Sequence, residues 1–429
     1  MIIAQMTAEM DIADNCLVLK YINFTKYMGS PAKPSRIKYA KIERRQTGCL
    51  VIDLYPERVE YLIKLSKSYL DLSKDEKEHA LALHKESIVI DSSIVSVIDY
   101  VAENMWLDDV MKGGLTASNL TVGMQRRFAE ALAEIIEHNH WAKKNEDRVI
   151  VVNKSSDIQL AKKTGKHGIM YGPQDSMFLE RNVDFLDIAY DHGLRAMQLT
   201  YNWKNEVGDG CRERRDSGLS WFGSAVVERM NKLGILIDLS HTGDQTCWDA
   251  IEQSKDPVSF THIIPRRSAP EKVGGYAEWA NRSTSLWGDF VAYSKQRAKP
   301  DDMIKACAEK GGVIGVTPFF AKKTGKSTLT DDIMDQLDET VDIVGVDHTG
   351  FGSDLEFPNT VTRSAFIYKN PERIDVDYFT PMDKDWGYGY MEHMPNFTMG
   401  LVARGYSDQE IKKILGLNFI KLFKRVWGA

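Results

Sequence analysis

The sequence is poor in cysteine and in long apolar runs, and it lacks a surplus of either charge large enough to define a partner. Its 429 residues include five cysteines, Cys16, Cys49, Cys211, Cys247 and Cys307. An odd number without a CxxC pair argues against a disulfide framework and against a thiolate zinc site, and makes a reducing compartment the simpler setting. No apolar stretch approaches the roughly 20 residues that a membrane-crossing helix needs. The opening residues, MIIAQMTAEMDIADNC, carry acids where a secretion signal needs a basic start and an unbroken apolar core. A cytoplasmic location with no membrane partner is the expectation. Lys and Arg number 55 against 61 Asp and Glu, a formal charge of -6. With the signs interspersed there is no basic stripe, so nucleic acid is not an expected partner. A hydrophobic content of 43% is enough for one barrel-sized core with additions.

What the sequence does contain is the stretch GILIDLSHTGDQTCWDAIEQSKDPVSFTH, Gly234–His262. Two β-rich runs, Gly234–Asp238 and Val258–Thr261, each lead through small polar residues to a histidine, with a helix expected over Gln245–Ser254 between them. A helical crossover of this length between neighbouring strands requires them to be parallel. His241 and His262 therefore leave the carboxyl ends of adjacent strands, where α/β folds place their chemistry. Either histidine alone would serve as well to cap its strand; two converging imidazoles suit a divalent metal, most often zinc.

Residues 1–86 read as a separate N-terminal helical extension. Pro31, Pro34 and the basic run Lys38–Arg45 are loop-like, and helical periodicity covers Glu57–Leu72 and Lys74–His84, with Ser73 as the N-cap of the second. His79 and His84 sit among charges and read as solvated. From Ser87 strands and helices alternate. Candidate strands are Ile88–Ile90, Val149–Val152, Gly168–Tyr171, Arg195–Thr200, Gly234–Asp238, Val258–Thr261, Gly312–Val316 and one within Ile343–Gly352. Amphipathic segments at Met124–His138, Val183–His192, Gly223–Leu233, Gln245–Ser254 and Asp301–Lys310 separate most of them. Eight strands in alternation with helices predict an α/β fold, a (β/α)8 TIM barrel, over residues 87–429. The stretch 271–296 is too long for an ordinary connection and reads as an inserted lid carrying Tyr276, Trp279, Trp287, Phe290 and Tyr293. Asp408–Trp427, with Ser407 as N-cap, is a basic amphipathic helix expected to pack back on the barrel, with Lys412, Lys413, Lys421, Lys424 and Arg425 solvated.

Lesser candidates are weighed against bland roles. His138 and His140 in EHNHW fall in an expected exposed turn, and His348 is expected to support the last strand by a hydrogen bond. Arg212, Arg214 and Arg215, in the loop Gly208–Gly218, either meet an anionic substrate or are solvated. Cys211 in the same loop has no visible base to activate it as a nucleophile.

The motifs GLSWFGSAVVERMNKLGILIDLSHTGDQT, DPVSFTH, VGVDHTGFGSDLEF and ARGYSDQEIKKILGLNF, in this order, resemble the membrane dipeptidase (peptidase M19) family of metal-dependent hydrolase barrels. The resemblance, running from about Ser87 to Trp427, implies a binuclear zinc site that hydrolyses dipeptides, and often a homodimer. It places metal ligands at His241 and His262, the proton-handling carboxylate at Asp354, and the arginine for the substrate carboxylate at Arg297, with Arg266 or Arg267 as fallbacks. It also marks departures. Ser93 and Val95 stand where the family has a His-x-Asp pair, Gln174, with Asp175 beside it, stands at the bridging glutamate, and Tyr201 at a substrate-contacting histidine. A neutral amide cannot bridge two dications with its charge. The expectation is a dipeptidase-like hydrolase that cleaves an amide bond in a small carboxylate-bearing substrate. It would use at most one zinc, held by His241, His262 and Asp354. Asp354 binds the metal or takes the proton, Gln174 and Arg297 face the substrate, and Tyr201 either donates to the oxyanion or is a core aromatic. The alternatives are a metal-independent acid–base enzyme, such as a lyase or isomerase, and an inactive ligand-binding homologue.

Overall fold

Strands and crossover helices alternate from Ile90 onward in the computed structural model of the chain, which describes residues 10–13, 16–19, 40–44, 50–54, 68–96, 100–269, 290–318, 329–357 and 391–428. Ten strands follow one another: β1 (Ile90–Ser96), β2 (Ala117–Thr121), β3 (Val149–Val151), β4 (His167–Tyr171), β5 (Ala196–Gln198), β6 (Leu236–Asp238), β7 (Val258–Ile263), β8 (Ile314–Val316), β9 (Thr349–Phe351) and β10 (Leu355–Phe357). They form two parallel five-stranded sheets, in the orders β10-β1-β2-β4-β3 and β9-β8-β7-β6-β5. The sheets join at two seams. At one, Tyr171 bridges Leu194 ahead of β5 and accepts from Arg195 N at 3.1 Å. At the other, Asp354 N donates to Ser93 O at 2.8 Å. The architecture is of the TIM-barrel type, with β3 at a sheet edge beside β4.

Four strand readings change: the expected Ile88–Ile90 becomes Ile90–Ser96, Leu355–Phe357 and Ala117–Thr121 are strands that were not expected, and Val149–Val152 loses its place as a stave. Ala117–Thr121 is a barrel strand that carries no apolar run; ASNLT is mostly small and polar, yet all five residues are buried. Val149–Val152, read as a stave, is only an edge strand. The helices are α1 (Lys74–Glu86), α2 (Tyr100–Lys112), α3 (Phe128–Lys144), α4 (Ser155–Thr164), α5 (Phe185–Asp191), α6 (Trp221–Leu233), α7 (Asp244–Gln253), α8 (Phe290–Arg297), α9 (Asp301–Glu309), α10 (Leu329–Val344), α11 (Met394–Ala403), α12 (Asp408–Lys412) and α13 (Asn418–Trp427); α1, α3, α5, α6, α7, α9 and the α12–α13 segment answer to expected helices, and α2, α4, α8, α10 and α11 do not. Because α3 runs on to Lys144, His138 and His140 lie inside it rather than in a turn; His138 is buried, with Nδ1 on Glu134 O, and His140 is exposed.

The N-terminal stretch differs more. Two antiparallel pairs occur there, Met10–Ala13 with Cys16–Leu19 and Ala40–Arg44 with Leu50–Leu54. Within the basic run Ala40–Arg44 is thus a strand and not a loop: over Ala40–Glu43 apolar and charged residues alternate with the two-residue period of β structure. Of the helix expected over Glu57–Leu72, residues 57–67 lie outside the described residues, and Tyr69–Asp71 is a single 3-10 turn. Helix α1 begins as expected, with a capping box in which the Ser73 hydroxyl accepts from Glu76 N and the Glu76 carboxylate accepts from Ser73 N. His84 at its end is not solvated; it is 4% exposed and bonded to Thr398 Oγ1 and Gly113 O, because α1 packs on α11. Of the expected lid, residues 271–289 lie outside the described residues, among them Tyr276, Trp279 and Trp287, and residues 290–296 belong to α8.

The end of the barrel opposite the histidines is closed by the C-terminal helices. Helix α12 continues through a π-turn, Lys413–Leu417, into α13. Phe419, Phe423 and Val426 meet Ile90, Ala117, Ala196, Leu236 and Val313, which stand at or beside the first residues of their strands. Gly350 lets the Phe419 ring approach so closely that a Cβ there would lie 2.5 Å from it. Asn418 Nδ2 donates to Val346 O and Thr349 O, and Trp427 Nε1 to Arg195 O, so the plug is bonded as well as packed. On the outer side Lys421, Lys424 and Arg425 are exposed, as expected, whereas Lys412 and Lys413 pair with Glu86 and Asp347. Phe419→Ala is expected to lower unfolding stability by about 3–5 kcal/mol through transfer and cavity terms. Denaturant melts should show a lower midpoint with an unchanged slope.

Candidate metal centre

The histidine strands are held together from below their tips. β6 ends at Asp238, whose carboxylate is 3% exposed and accepts four hydrogen bonds. Oδ1 takes Ser240 N (3.0 Å), Ser240 Oγ (2.6 Å) and Thr261 N (3.1 Å), and Oδ2 takes the Thr261 hydroxyl (2.5 Å). Ser240 and Thr261 are the residues immediately before His241 and His262. Beyond His241 the chain must turn into α7, and Gly243 makes this possible. A Cβ there would lie 2.3 Å from Asp216 Oδ2, the carboxylate that caps α7 by accepting from Gln245 N and Thr246 Oγ1.

His241 Nε2 and His262 Nε2 stand 3.1 Å apart. On the far side of each ring Nδ1 has an oxygen partner, Asn202 Oδ1 at 2.9 Å for His241 and Thr261 Oγ1 at 2.8 Å for His262. The Asn202 oxygen can only accept. The Thr261 proton is given to Asp238, so its oxygen accepts too. Both Nδ1 atoms therefore carry the proton in this network, and both Nε2 atoms present lone pairs to one another. Such a pair is satisfied by a cation. A tetrahedral zinc about 2.0–2.1 Å from two imidazole nitrogens separates them by about 3.3 Å, close to the distance found. Asp354 Oδ1 lies 3.7 Å from His262 Nε2, and the three ligand atoms all fall within 4.8 Å of one another. Two neutral imidazoles and one carboxylate, converging and nearly dry, fit a divalent metal.

Burial holds both imidazoles well below their ordinary pKa, and the charge of Arg297 acts in the same direction; His241 also feels His262 and Lys299. Both rings are thus neutral ligands over the physiological range. Asp354 has φ +53°, a left-handed conformation uncommon for a residue with a side chain and of the kind that marks strained functional positions.

Gln174 is brought to this carboxylate. Its Nε2 lies 3.2 Å from Asp354 Oδ1, 3.0 Å from Thr121 Oγ1 and 3.3 Å from Ser93 Oγ. Ser93, Thr121 and Gln174 are all buried, forming a neutral hydrogen-bonded seam beside Asp354. Asp175 turns elsewhere, accepting from Gln125 N and Met177 N. Tyr201 stacks on His241 with ring centroids 4.1 Å apart. Arg297, 1% exposed, directs its guanidinium to Ser240 O and to His262 O (2.8 Å). It stands at the site, but its forked donors go to the Ser240 carbonyl before His241 and to the carbonyl of His262 itself. The fallback arginines are elsewhere: Arg266 is paired bidentately with Asp244, and Arg267 reaches Asp301 and Glu339.

A family profile for membrane dipeptidase (peptidase family M19) matches residues 77–272 and 291–363, more than half of the chain. The chain belongs to the membrane dipeptidase family. This membrane dipeptidase relative is 22% identical over 285 residues to dipeptidase tcpJ of Claviceps purpurea (strain 20.1), an alignment covering 65% of the chain and 56% of that protein. It therefore spans little more than half the length of that curated relative. Among solved structures it is similar to an amidohydrolase from Pseudomonas aeruginosa, with 31% identity and a TM-score of 0.66 over 82% of this chain and 99% of the other. A metallopeptidase from Rhodobacter sphaeroides, solved with a phosphinate mimic of the dipeptide L-Ala-D-Ala, shares the fold at 16% identity and a TM-score of 0.60, covering 80% of this chain and all of that one.

Several neighbours of the site escaped sequence reasoning. Asp91, Thr121, Asn202, Asp238, Thr261 and Lys299 carry no metal-ligand spacing; the available signal was the hydroxyl that precedes each histidine in DLSH and SFTH. Lys299 is fully buried, with Nζ on Thr242 O. Cys211 is buried beside Asn202, and desolvation raises its thiol pKa, as suits a structural cysteine. Arg212 lies over the Trp203 ring, Arg214 and Arg215 are exposed, and His348 Nδ1 bonds Gly312 O as expected. Among described residues no helix is long and apolar enough to cross a membrane.

Asp91 generates a test of this region. Its Oδ1 accepts from Ser93 N and Ser353 N, its Oδ2 is buried with no hydrogen-bond partner among the described residues, and burial pushes its pKa from 3.8 to about 7. A folded-state pKa above the unfolded value stabilises the fold below about pH 4 and loses that stabilisation as pH rises through about 7. Asp91→Asn removes the dependence. The stability of wild type relative to this variant should fall by no more than about 4 kcal/mol between pH 4 and pH 8, measured by denaturant melts of metal-free protein. A difference that is flat or rises with pH would sink the assignment.

Proposed function

We propose that the chain hydrolyses the amide bond of a small, carboxylate-bearing, dipeptide-like substrate, using one tightly held divalent metal, zinc in the first instance. The observation that carries the reading is the facing pair of Nε2 atoms at 3.1 Å with Asp354 beside them. Family membership and the relative crystallised with a dipeptide mimic support the reaction class. Bound there, the metal supplies a Lewis acid for the carbonyl and lowers the pKa of water to about 7.

The residues divide the remaining work. His241 and His262 bind through Nε2, each oriented by its Nδ1 partner. Asp354 is the group placed to take a proton from the attacking water and return it to the leaving amine; where it also binds the metal, its basicity falls. Gln174 donates to Asp354 Oδ1 and fixes the carboxylate against rotation. The Tyr201 ring covers His241, and its hydroxyl is the candidate donor to the developing oxyanion. Arg297 contributes a fixed positive charge, and its contacts hold Ser240 and His262 in place. Because Ser93 and Gln174 supply no charged donor, a second ion lacks the ligand set that a binuclear site needs.

Elemental analysis after zinc loading should find close to one ion per chain, and dipeptides or N-acyl amino acids should be cleaved. His241→Ala and His262→Ala are each expected to lose both the metal and the activity; full activity in either variant would overturn the reading. Gln174→Glu should raise bound metal above the wild-type value, and an unchanged stoichiometry would show that position 174 does not correspond to a bridging ligand.

A further inference from the structure

We propose that Asp238 is a positioning residue that acts on the metal through Thr261 and His262, making the two histidines unequal ligands. The inference rests on the metal-binding reading above and goes beyond it, since neither Asp238 nor Thr261 is a ligand.

The geometry is a relay of three groups. The Thr261 hydroxyl donates to Asp238 Oδ2 at 2.5 Å, which commits its proton and turns an oxygen lone pair toward His262 Nδ1 at 2.8 Å. The imidazole N–H thus donates into an oxygen polarised by the Asp238 carboxylate behind it. Charge-assisted, aligned hydrogen bonds of this kind strengthen one another and leave more electron density on the opposite ring nitrogen. That nitrogen, Nε2, is the one facing the site.

His241 is oriented by an amide and not by a hydroxyl. Its Nδ1 meets the neutral amide oxygen of Asn202, which also receives the Cys211 thiol at 3.5 Å. The same carboxylate nonetheless fixes the backbone of both ligands. Asp238 Oδ1 accepts from Ser240 N and Thr261 N, and the Ser240 hydroxyl accepts from His262 N at 3.2 Å. Removing the Asp238–Thr261 link therefore leaves the strands packed but takes the anionic support from one histidine only. The charged groups on the opposite side, Arg297 and Lys299, are held by the carbonyls of Ser240, His262 and Thr242 and do not enter the relay.

The test measures zinc affinity of the full chain by competition with a chromophoric chelator. Thr261→Val, which keeps the volume and removes the hydroxyl, is expected to weaken zinc binding about 10–100-fold, whereas Thr261→Ser, which restores it, should stay within about threefold of wild type. Asn202→Ala should weaken binding less than Thr261→Val. Wild-type affinity in Thr261→Val, or an equal loss in Thr261→Val and Thr261→Ser, would overturn the proposal. A second readout needs no metal: in histidine 15N spectra of metal-free protein, His262 should be the Nδ1–H tautomer in wild type and lose this preference in Thr261→Val. A wild type that binds no zinc would sink the metal-binding reading alone; an unchanged His262 tautomer in Thr261→Val would sink the relay alone.

Discussion

One buried carboxylate bonded to the tips of two strands determines how this barrel presents its chemistry. Asp238 closes β6 and accepts donors from Ser240 and Thr261, so the turn that carries His241 and the end of β7 that carries His262 are held in a fixed relation. A carboxylate is costly to bury without partners. With four it converts that cost into rigidity, because any shift of one against the other breaks hydrogen bonds that water cannot replace. Arg297 complements this from another side by gripping the carbonyls of Ser240 and His262. The imidazoles are therefore positioned by the framework before any ligand arrives.

The departures from the family pattern become intelligible from the seam that replaces it. Ser93, Thr121 and Gln174 share a buried hydrogen-bonded cluster and reach Asp354 through the Gln174 amide. A neutral donor steers a carboxylate much as a cation would, but without drawing off its basicity to the same degree. The outcome is an asymmetric site, with neutral nitrogen donors at the ends of β6 and β7 and an uncharged hydrogen-bonding surface between β1 and β4.

The periodic part of this structure was legible in the sequence: the crossover from β6 to β7, the helices α3, α5, α6, α7 and α9, and the two histidines at the strand ends all rest on apolar patterning and turn residues. The unread parts share one physical cause. Strand β2 and the hydroxyls around Asp238 are buried yet polar, and Thr121 and Thr261 find their partners 53 and 23 residues away, so no local pattern announces them. His84 failed for the same reason: its partner Thr398 lies 314 residues away. Lys38–Arg45 failed differently, since its charges masked a two-residue alternation. Arg297 was found by place, while its use of backbone carbonyls rather than an outward fork depends on the turns folded around it.

The plug at the other end of the barrel constrains the order of events during synthesis. Helix α13 seals strand ends that precede it by hundreds of residues, as the Trp427–Arg195 hydrogen bond, 232 positions apart, illustrates. A ribosome therefore extrudes every stave before the segment that covers their apolar ends. Until α13 emerges, Ile90, Ala117, Ala196 and Leu236 line an open mouth. Contacts that span such separations form late, so the apolar ends of the staves stay uncovered until α13 packs on them.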